Sequence, residues 1–160
     1  MAEKLKERPR PGRIFRWFLR LPIAFYRLRL GFLLGGRFLL LHHVGAKTGL
    51  PRRTVLEVVK HHPDTDTYFV AVGFGPKSHW YGNLVKTPDT EIQVGRRRLL
   101  VRARTLDDEA GGDVMADYAR RHPRAARKLM KFCGYQVDGT EADYRDVARK
   151  GLHFVALEPR

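Results

Sequence analysis

The chain has 160 residues, of which 43% are apolar and 11% aromatic, and it carries a formal net charge of +14. This composition excludes an intrinsically disordered protein, and the length suits one domain with a hydrophobic core. The single cysteine excludes an internal disulfide and favours a reducing, cytoplasmic setting. The apolar runs are short and interrupted by arginine, so we expect neither a spanning helix nor a signal peptide.

The positive charge is concentrated in the first third of the chain. No acid occurs between Glu7 and Glu57, whereas eleven Lys or Arg residues lie between them. Such a field attracts polyanions, whether nucleic acid, anionic lipid or a multiply charged small ligand.

The N-terminal residues are predicted to form an arm and then a helix. Residues 1–12 are polar and contain prolines, which indicates a flexible basic arm ahead of one domain over residues 13–160. From Arg13 to Phe25 the pattern predicts an amphipathic helix, bent at Pro22, with arginines on one face and apolar residues on the other. Such a helix either covers the core of the domain or rests on an anionic membrane surface.

The rest of the chain alternates between strand and helix patterns. Strands are predicted at 37–44, 54–60, 68–72, 91–94, 99–104 and 153–157, and helices at 79–86, 107–121, 123–132 and 141–150. Consecutive strands followed by helices indicate an α+β fold with a small barrel rather than a βαβ sheet.

The loop between the first two predicted strands is the first candidate site. Two glycines, a proline and three cations share about ten residues there: Gly45, Lys47, Gly49, Pro51, Arg52 and Arg53. Successive N–H groups in a glycine turn form a concavity for anions, and arginine forks suit phosphate or carboxylate. The loop is not a Walker A motif, because the consecutive Gly-Lys-Thr ending is missing. The alternative is an ordinary basic hairpin turn.

The segment from His79 to Leu84 is a second candidate. Trp80 could stack on a planar ligand, with Asn83 one helical turn later on the same side. The alternative is a core tryptophan with a capping or solvated asparagine.

Metal-binding and hydrolytic sites are not expected. Neighbouring strand residues point to opposite faces, so His42 and His43 cannot easily share an ion, and the pair at 61–62 has no companion ligand. Cys133 reads as a small buried residue, and no hydrolase motif is present. This absence favours a bound cofactor as the source of chemistry.

The ordered series of motifs from Leu39 to Arg104 resembles the deazaflavin-dependent nitroreductase family. The series comprises the Gly-Ala-Lys-Thr-Gly-Leu-Pro-Arg loop, Val-Ala-Val at 70–72, Trp-Tyr-Gly-Asn-Leu at 80–84 and a valine-rich hairpin. The resemblance implies a split β-barrel, an antiparallel barrel of six to seven strands with an N-terminal amphipathic helix and C-terminal helices. It also implies coenzyme F420 as cofactor, with FMN fitting less well, and hydride transfer to a quinone, enone or nitro compound.

The resemblance assigns cofactor-binding positions but no catalytic residue. The loop would hold the cofactor phosphate and its acidic tail, the two strand segments would border the deazaflavin, and the helix would line the same pocket. The positions implied are Lys47, Thr48, Gly49, Arg52, Arg53, Thr54, Val55, Leu56, Ala71, Val72, Gly73, Phe74, His79, Trp80 and Asn83.

Two departures from the family pattern limit what is implied. Ala46 stands where an arginine is usual, so we expect weaker phosphate binding. Nitroimidazole-reducing members carry tyrosines beside the reacting ring, whereas this chain has His-Pro-Arg-Ala at 122–125, flanked by Tyr118 and Tyr135. Reduction of bicyclic nitroimidazoles is therefore not assumed, and hydride transfer to a conjugated acceptor is the broader expectation.

Two other functions stay open from the residues alone. The barrel could be a non-catalytic carrier of a flavin or hydrophobic ligand, or the basic N-terminal third could bind nucleic acid. The helix places its aromatics opposite its arginines, whereas single-strand binders interleave them, so we expect no nucleic-acid partner. The expected partners are the anionic cofactor and a small apolar conjugated substrate. A further expected partner is the inner, cytoplasmic surface of an anionic membrane.

Overall fold

The computed structural model describes residues 2–4, 37–73 and 78–160. Eight strands and four helices are present in these ranges. In chain order they are β1 Glu3–Lys4, β2 Phe38–Val44, β3 Pro51–His62, β4 Thr67–Ala71, α1 His79–Lys86, β5 Asp89–Val94, β6 Arg97–Thr105, α2 Asp108–Arg121, α3 Pro123–Phe132, β7 Tyr135–Gln136, α4 Glu141–Arg149 and β8 Phe154–Pro159.

Six antiparallel strands close into a barrel in the order β2-β3-β4-β8-β6-β5, and β2 pairs with β5 to complete the ring. Alternate side chains point inward and form one buried cluster, which includes Leu39, Leu41, Val70, Ile92 and Leu157. The predicted α+β fold with a six-stranded antiparallel barrel is therefore confirmed.

The C-terminal helices cover one outer side of the barrel. A second buried cluster joins Met115, Met130 and Val147 of the helices to Val59 and Phe154 of the strands. Two of the four described helices begin with a side-chain cap: Asp107 accepts a hydrogen bond from the Ala110 N–H at 2.8 Å, and the Thr140 hydroxyl accepts one from the Asp143 N–H at 3.2 Å.

Strand β3 begins three residues earlier than the pattern predicted. The hairpin ladder with β2 extends to the pairs His43↔Arg52 and Val44↔Pro51, so Arg52 and Arg53 lie in the strand. Pro51 occupies the first strand position, where its missing N–H is tolerated. The connecting loop therefore shortens to residues 45–50.

The start of β3 has a partner on one side only among the described residues. Its ladder with β4 begins at Val58↔Val70, so residues 51–57 pair with β2 alone. Thr54, Val55 and Leu56 are half-buried on this stretch. This open half of β3 continues directly from the basic loop.

A small second sheet was not expected. Glu3–Lys4 pairs with Tyr135–Gln136, within the stretch that the sequence predicted to be a flexible arm. Strands of two residues leave no periodic pattern to detect. The remainder of that arm and the amphipathic helix predicted from Arg13 lie outside the described residues. Over the described ranges, no helix has the length and apolar character that a membrane span requires.

Candidate functional site

The six-residue loop 45–50 is held in shape by its own backbone. The Gly45 N–H donates to the Leu50 carbonyl at 2.9 Å, and the Gly49 N–H donates to the Gly45 carbonyl at 2.8 Å. Gly49 has a φ of 69°, in the left-handed region that favours glycine. A Cβ on Gly45 would meet Thr48 Oγ1, so a larger residue there would require the threonine side chain to rotate. The left-handed φ of Gly49 is the position where this loop conformation favours glycine.

Two side chains of helix α1 form hydrogen bonds to the loop, both at the backbone of Ala46. The Ala46 N–H donates to Asn83 Oδ1 at 2.8 Å, and Lys86 Nζ donates to the Ala46 carbonyl at 2.6 Å. Asn83 and Lys86 are three residues apart on α1 and so share a face. The loop therefore cannot move without breaking hydrogen bonds to the helix.

A buried histidine fixes the orientation of the Asn83 amide. Because the Ala46 N–H can only donate, the amide oxygen faces it and the NH2 group faces His43. Asn83 Nδ2 lies 2.8 Å from His43 Nδ1, which must accept and is therefore unprotonated. Burial, followed by the nearby charge of Arg52, lowers the pKa of His43 to about 4. His43 is thus neutral near pH 7 and keeps the acceptor that Asn83 needs.

The loop leaves donors and cations without partners. Among the described residues, the N–H groups of Lys47 and Thr48 have no hydrogen-bond acceptor. Lys47, Arg52 and Arg53 likewise have no ionic partner in this part of the chain. Other barrel arginines differ, and Arg102, for example, lies 2.7 Å from Asp89. Within the described residues, two consecutive N–H groups without acceptors beside cations without ionic partners make this loop a candidate site for an anion.

The two arginines of this site lie on opposite faces of β3. Arg52 pairs across the hairpin with His43, and Arg53 pairs with His42. Cross-strand partners share a face, and successive residues alternate. Arg52 therefore shares the face of the His43–Asn83 pair, whereas Arg53 points to the other side.

The positions implied to border a planar ring are distributed over two strands. On β4 and just beyond it, Ala71 and Val72 are buried. A Cβ added to Gly73 would meet Phe132 Cε1 at 3.4 Å, so helix α3 approaches this residue closely. Phe74 lies outside the described residues.

Helix α1 contributes mainly to the barrel interior. Trp80 is 9% exposed and belongs to the inner cluster, and its ring meets Tyr81 edge-on at 6.2 Å. Asn83 is 8% exposed, and its amide is occupied by the loop and His43. His79, at the start of the helix, is exposed. The contacts of Trp80 and Asn83 in this structure are thus internal to the protein.

Sequence reasoning missed His43 and Lys86 as parts of the loop assembly. His43 continues the inward-facing series of Leu39 and Leu41, which could have marked it as a buried polar residue beside the loop. Lys86 follows Asn83 by three residues, which could have marked a common face. The residues that His43 and Lys86 contact are set by tertiary packing, which the sequence pattern does not show.

Residues considered for other chemistry have structural partners. His61 Nε2 lies 2.8 Å from Asp66 Oδ1, and its ring stacks on Tyr68 with centroids 4.2 Å apart. Burial raises the pKa of the Cys133 thiol to about 12. Over residues 2–4, 37–73 and 78–160, no three His, Cys, Asp or Glu side chains are placed to hold a metal ion.

The tyrosines that flank the 122–125 segment are also engaged. The Tyr118 hydroxyl donates to Glu57 Oε1 at 2.6 Å, and burial together with that carboxylate raises the pKa of Tyr118 strongly. The Tyr135 hydroxyl donates to the Lys150 carbonyl at 3.2 Å. Neither hydroxyl is free to serve a ligand.

We predict that His43→Gln flattens the pH dependence of stability. In the unfolded chain His43 takes up a proton near pH 6.5, whereas in the folded protein it resists protonation down to about pH 4. Its contribution to stability is therefore present above pH 6.5 and is lost as the pH falls towards 4. The loss is on the order of 3 kcal/mol, and it disappears in the variant because glutamine does not titrate in this range.

The measurement is chemical denaturation between pH 7 and pH 4. The exposed His62→Gln variant serves as the control and should keep the slope of the unsubstituted protein. An equal slope in the His43→Gln variant would contradict the assignment of His43 as a buried neutral acceptor.

Comparison with curated proteins gives relatives in mycobacteria. The chain is 41% identical over 85 residues to the F420H(2)-dependent quinone reductase Rv1261c of Mycobacterium tuberculosis. The same identity and length hold for the putative F420H(2)-dependent quinone reductase Mb1292c of Mycobacterium bovis. These matches cover 51% of this chain and 52% of each relative, so the chain spans about half the length of the curated relatives it matches.

Solved structures share the fold. The F420-H2 dependent reductase FDR-A superposes with a TM-score of 0.52 at 21% identity, covering 76% of this chain and 94% of its own. HutZ, the heme storage protein of Vibrio cholerae, superposes with a TM-score of 0.53 at 16% identity, covering 88% of this chain and 91% of its own. At these identities the likeness concerns the fold alone.

A family model extends over most of the described barrel. The model of the F420H(2)-dependent quinone reductases matches residues 19–138, which is well over half of the chain and includes the loop, the open half of β3 and helix α1. The chain therefore belongs to the F420H(2)-dependent quinone reductase family.

Proposed function

We propose that this protein binds coenzyme F420 and uses its reduced form to reduce a conjugated acceptor, in the first instance a quinone. Family membership supports this reaction class. The observation that supports placing the cofactor at loop 45–50 is that, within the described residues, the N–H groups of Lys47 and Thr48 have no acceptor and the neighbouring Arg52 has no ionic partner.

The residues of the loop suit the anionic parts of such a cofactor. Lys47 offers a point charge, Arg52 a planar fork and Thr48 a hydroxyl and an N–H, which together match a phosphate or carboxylate. Ala46 supplies only its backbone, and both its polar groups are already used by Asn83 and Lys86. Recognition of the anion therefore depends on the remaining cations and on loop shape.

The strands beside the loop suit a planar ring. Thr54, Val55 and Leu56 are half-buried on the open half of β3, and Ala71 and Val72 are buried at the end of β4. Because successive strand residues alternate faces, either Val55 or the pair Thr54 and Leu56 would lie against one side of a bound ring and exclude water from it. When bound, the reduced deazaflavin supplies a hydride to the acceptor, and the role of these residues is to hold and orient the ring.

We predict that Lys47→Ala and Arg52→Ala each weaken F420 binding at least about tenfold. Removing one charged partner of a phosphate or carboxylate costs roughly 1.5–3 kcal/mol. The dissociation constant can be followed by quenching of tryptophan fluorescence, with FMN titrated in parallel and expected to bind less tightly.

Arg149→Ala is the matched control, because Arg149 is an exposed cation on α4 with no ionic partner among the described residues. Its affinity for F420 should equal that of the unsubstituted protein. Unchanged binding in both loop variants would remove the loop from the proposed cofactor site.

We predict that a quinone such as menadione is reduced at least about a hundredfold faster than a nitroimidazole. Arg124 and Ala125 occupy the positions where the resembled nitroreductases carry tyrosines, and the hydroxyls of Tyr118 and Tyr135 are engaged elsewhere. Loss of one positioned donor typically costs about that factor in rate. Stopped-flow absorbance of reduced F420 with menadione, cyclohexenone and a nitroimidazole measures the three rates.

The acceptor panel also separates this proposal from its alternatives. Rapid nitroimidazole turnover would show that a donor exists at another position. Tight F420 binding without turnover of any acceptor would support a non-catalytic carrier instead. In the tryptophan-fluorescence titration, binding of RNA in place of F420 would support a nucleic-acid function.

We further propose that the protein associates peripherally with anionic membranes through residues 13–25, from the cytoplasmic side. The support is the sequence pattern of arginines opposite apolar residues, since each cation near an anionic surface contributes about 1 kcal/mol. Flotation with anionic vesicles should recruit the full chain, whereas neutral vesicles should not. Equal flotation after deletion of residues 1–30 would contradict the proposal.

A further inference from the structure

Lys86 brings a positive charge to the loop 45–50 from outside the loop itself. Its Nζ donates to the Ala46 carbonyl at 2.6 Å, although the two residues lie 40 positions apart in the chain. An ammonium group has three N–H donors, and this bond uses one of them. The side chain is exposed, and Nζ has no second acceptor among the described residues. Two donors of Lys86 are therefore available to a ligand beside the loop.

The charge of Lys86 is not neutralised in the described part of the chain. The nearest acid in the sequence is Asp89, and its two carboxylate oxygens accept from Arg102 at 2.7 Å and 3.1 Å. Helix α1 itself contains no acidic residue. Lys86 therefore adds to the positive potential of Lys47 and Arg52, and an anion at the loop would be attracted by all three.

The contact of Lys86 coincides with the loop position that has no polar side chain. Ala46 is half-buried and ends at its Cβ, whereas the two residues that follow it, Lys47 and Thr48, carry exposed polar side chains. The ammonium group lies on the backbone of Ala46. Helix α1 thus places a cation at the position where the loop offers none.

Lys86 and the first unbonded N–H of the loop lie on opposite sides of one peptide unit. The Ala46 carbonyl and the Lys47 N–H belong to the same planar trans peptide, in which these two groups point in opposite directions. One oxygen atom cannot accept from the Lys47 N–H and from Lys86 Nζ together. The two donors therefore suit separate oxygen atoms of a ligand with an extended or repeated negative charge.

Holding the loop in place does not by itself require a cation at residue 86. Asn83 already fixes the loop through the Ala46 N–H. The C-terminal turn of a helix favours a positive charge, but that preference does not direct the charge to a particular carbonyl. The position of Lys86 is better accounted for by a ligand that needs its charge.

We propose that Lys86 is a ligand of the anionic cofactor and supplies, from helix α1, the charge that Ala46 does not. It contacts a phosphate or carboxylate oxygen other than the one held by the N–H groups of Lys47 and Thr48. This inference rests on the proposed function and deepens it. Selection of a multiply charged cofactor then depends on α1 as well as on the loop.

The test moves the charge from residue 86 to residue 46. We expect Lys86→Gln to weaken F420 binding roughly tenfold or more, because one charged contact is lost. Adding Ala46→Arg to that variant should restore the affinity to within about threefold, whereas adding the uncharged Ala46→Gln should not. Lys86→Arg, which keeps the charge in place, should bind nearly as well as the unsubstituted protein. Quenching of tryptophan fluorescence gives the dissociation constants.

The matched control is Lys131→Gln, which removes an exposed cation of α3 that has no ionic partner among the described residues. Its affinity for F420 should be unchanged. The shape of the free loop is followed by the amide chemical shift of Gly49, whose N–H donates to the Gly45 carbonyl, and this shift should be the same with and without Lys86→Gln.

Two results would overturn the proposal. One is an affinity of Lys86→Gln equal to that of the unsubstituted protein. The other is a loss of affinity that is accompanied by a displaced Gly49 amide shift and is not reversed by Ala46→Arg. That combination would mark Lys86 as a residue that only holds the loop.

Inorganic pyrophosphate, titrated at constant ionic strength, tests Lys86 independently of F420. We expect Lys86→Gln to weaken pyrophosphate binding and Lys131→Gln to leave it unchanged. Binding of pyrophosphate through Lys86 without binding of F420 would contradict the proposed function and support the anion contact. Binding of F420 with no contribution from Lys86 would support the proposed function and contradict this inference, and binding of neither ligand would contradict both.

F420 without its acidic tail identifies the group that Lys86 contacts. Equal losses of affinity for the complete and the shortened cofactor in Lys86→Gln would assign Lys86 to the phosphate. A loss confined to the complete cofactor would assign it to a carboxylate of the tail.

Discussion

The amide of Asn83 is the contact on which the geometry of the proposed cofactor site depends. Its oxygen accepts the Ala46 N–H and its nitrogen donates to His43, each at 2.8 Å. A buried asparagine must satisfy both ends of its amide, so the position of the loop, the orientation of the helix and the protonation state of the histidine are linked. Of the loop's N–H groups, those of Gly45, Ala46, Gly49 and Leu50 are bonded, so that within the described residues only those of Lys47 and Thr48 have no acceptor.

The cations of this protein differ in whether a carboxylate lies close enough to neutralise them. Around the barrel, arginines pair with carboxylates, as in Arg102 with Asp89 and Arg97 with Asp66. At the loop, Lys47, Arg52 and Arg53 lack such partners in the described part of the chain. Exposed pairs contribute little to stability, whereas unpaired cations on a fixed frame attract anions. Part of the high net charge is therefore concentrated at the loop, whereas exposed cations elsewhere, such as Arg149, add only a general effect.

The sequence predicted the barrel and its helices because apolar alternation and capping residues are local signals. It placed the start of β3 at Thr54 rather than Pro51, since a strand that opens with proline and two arginines lacks apolar alternation. It identified the loop from its glycines, and the left-handed φ of Gly49 is a property of the turn itself. It could not show that Asn83 bonds to that loop, because the two lie 37 residues apart and meet only through packing.

The central claim is that the shape of the loop, and not only its charge, creates the anion site. The most direct test is the dissociation constant of F420 for Asn83→Ala, compared with Val85→Ala at an exposed position on the same helix. Every cation is retained in both variants. The account predicts that Asn83→Ala weakens binding about tenfold or more while Val85→Ala leaves it unchanged. A folded Asn83→Ala variant that binds F420 as tightly as the unsubstituted protein would contradict it.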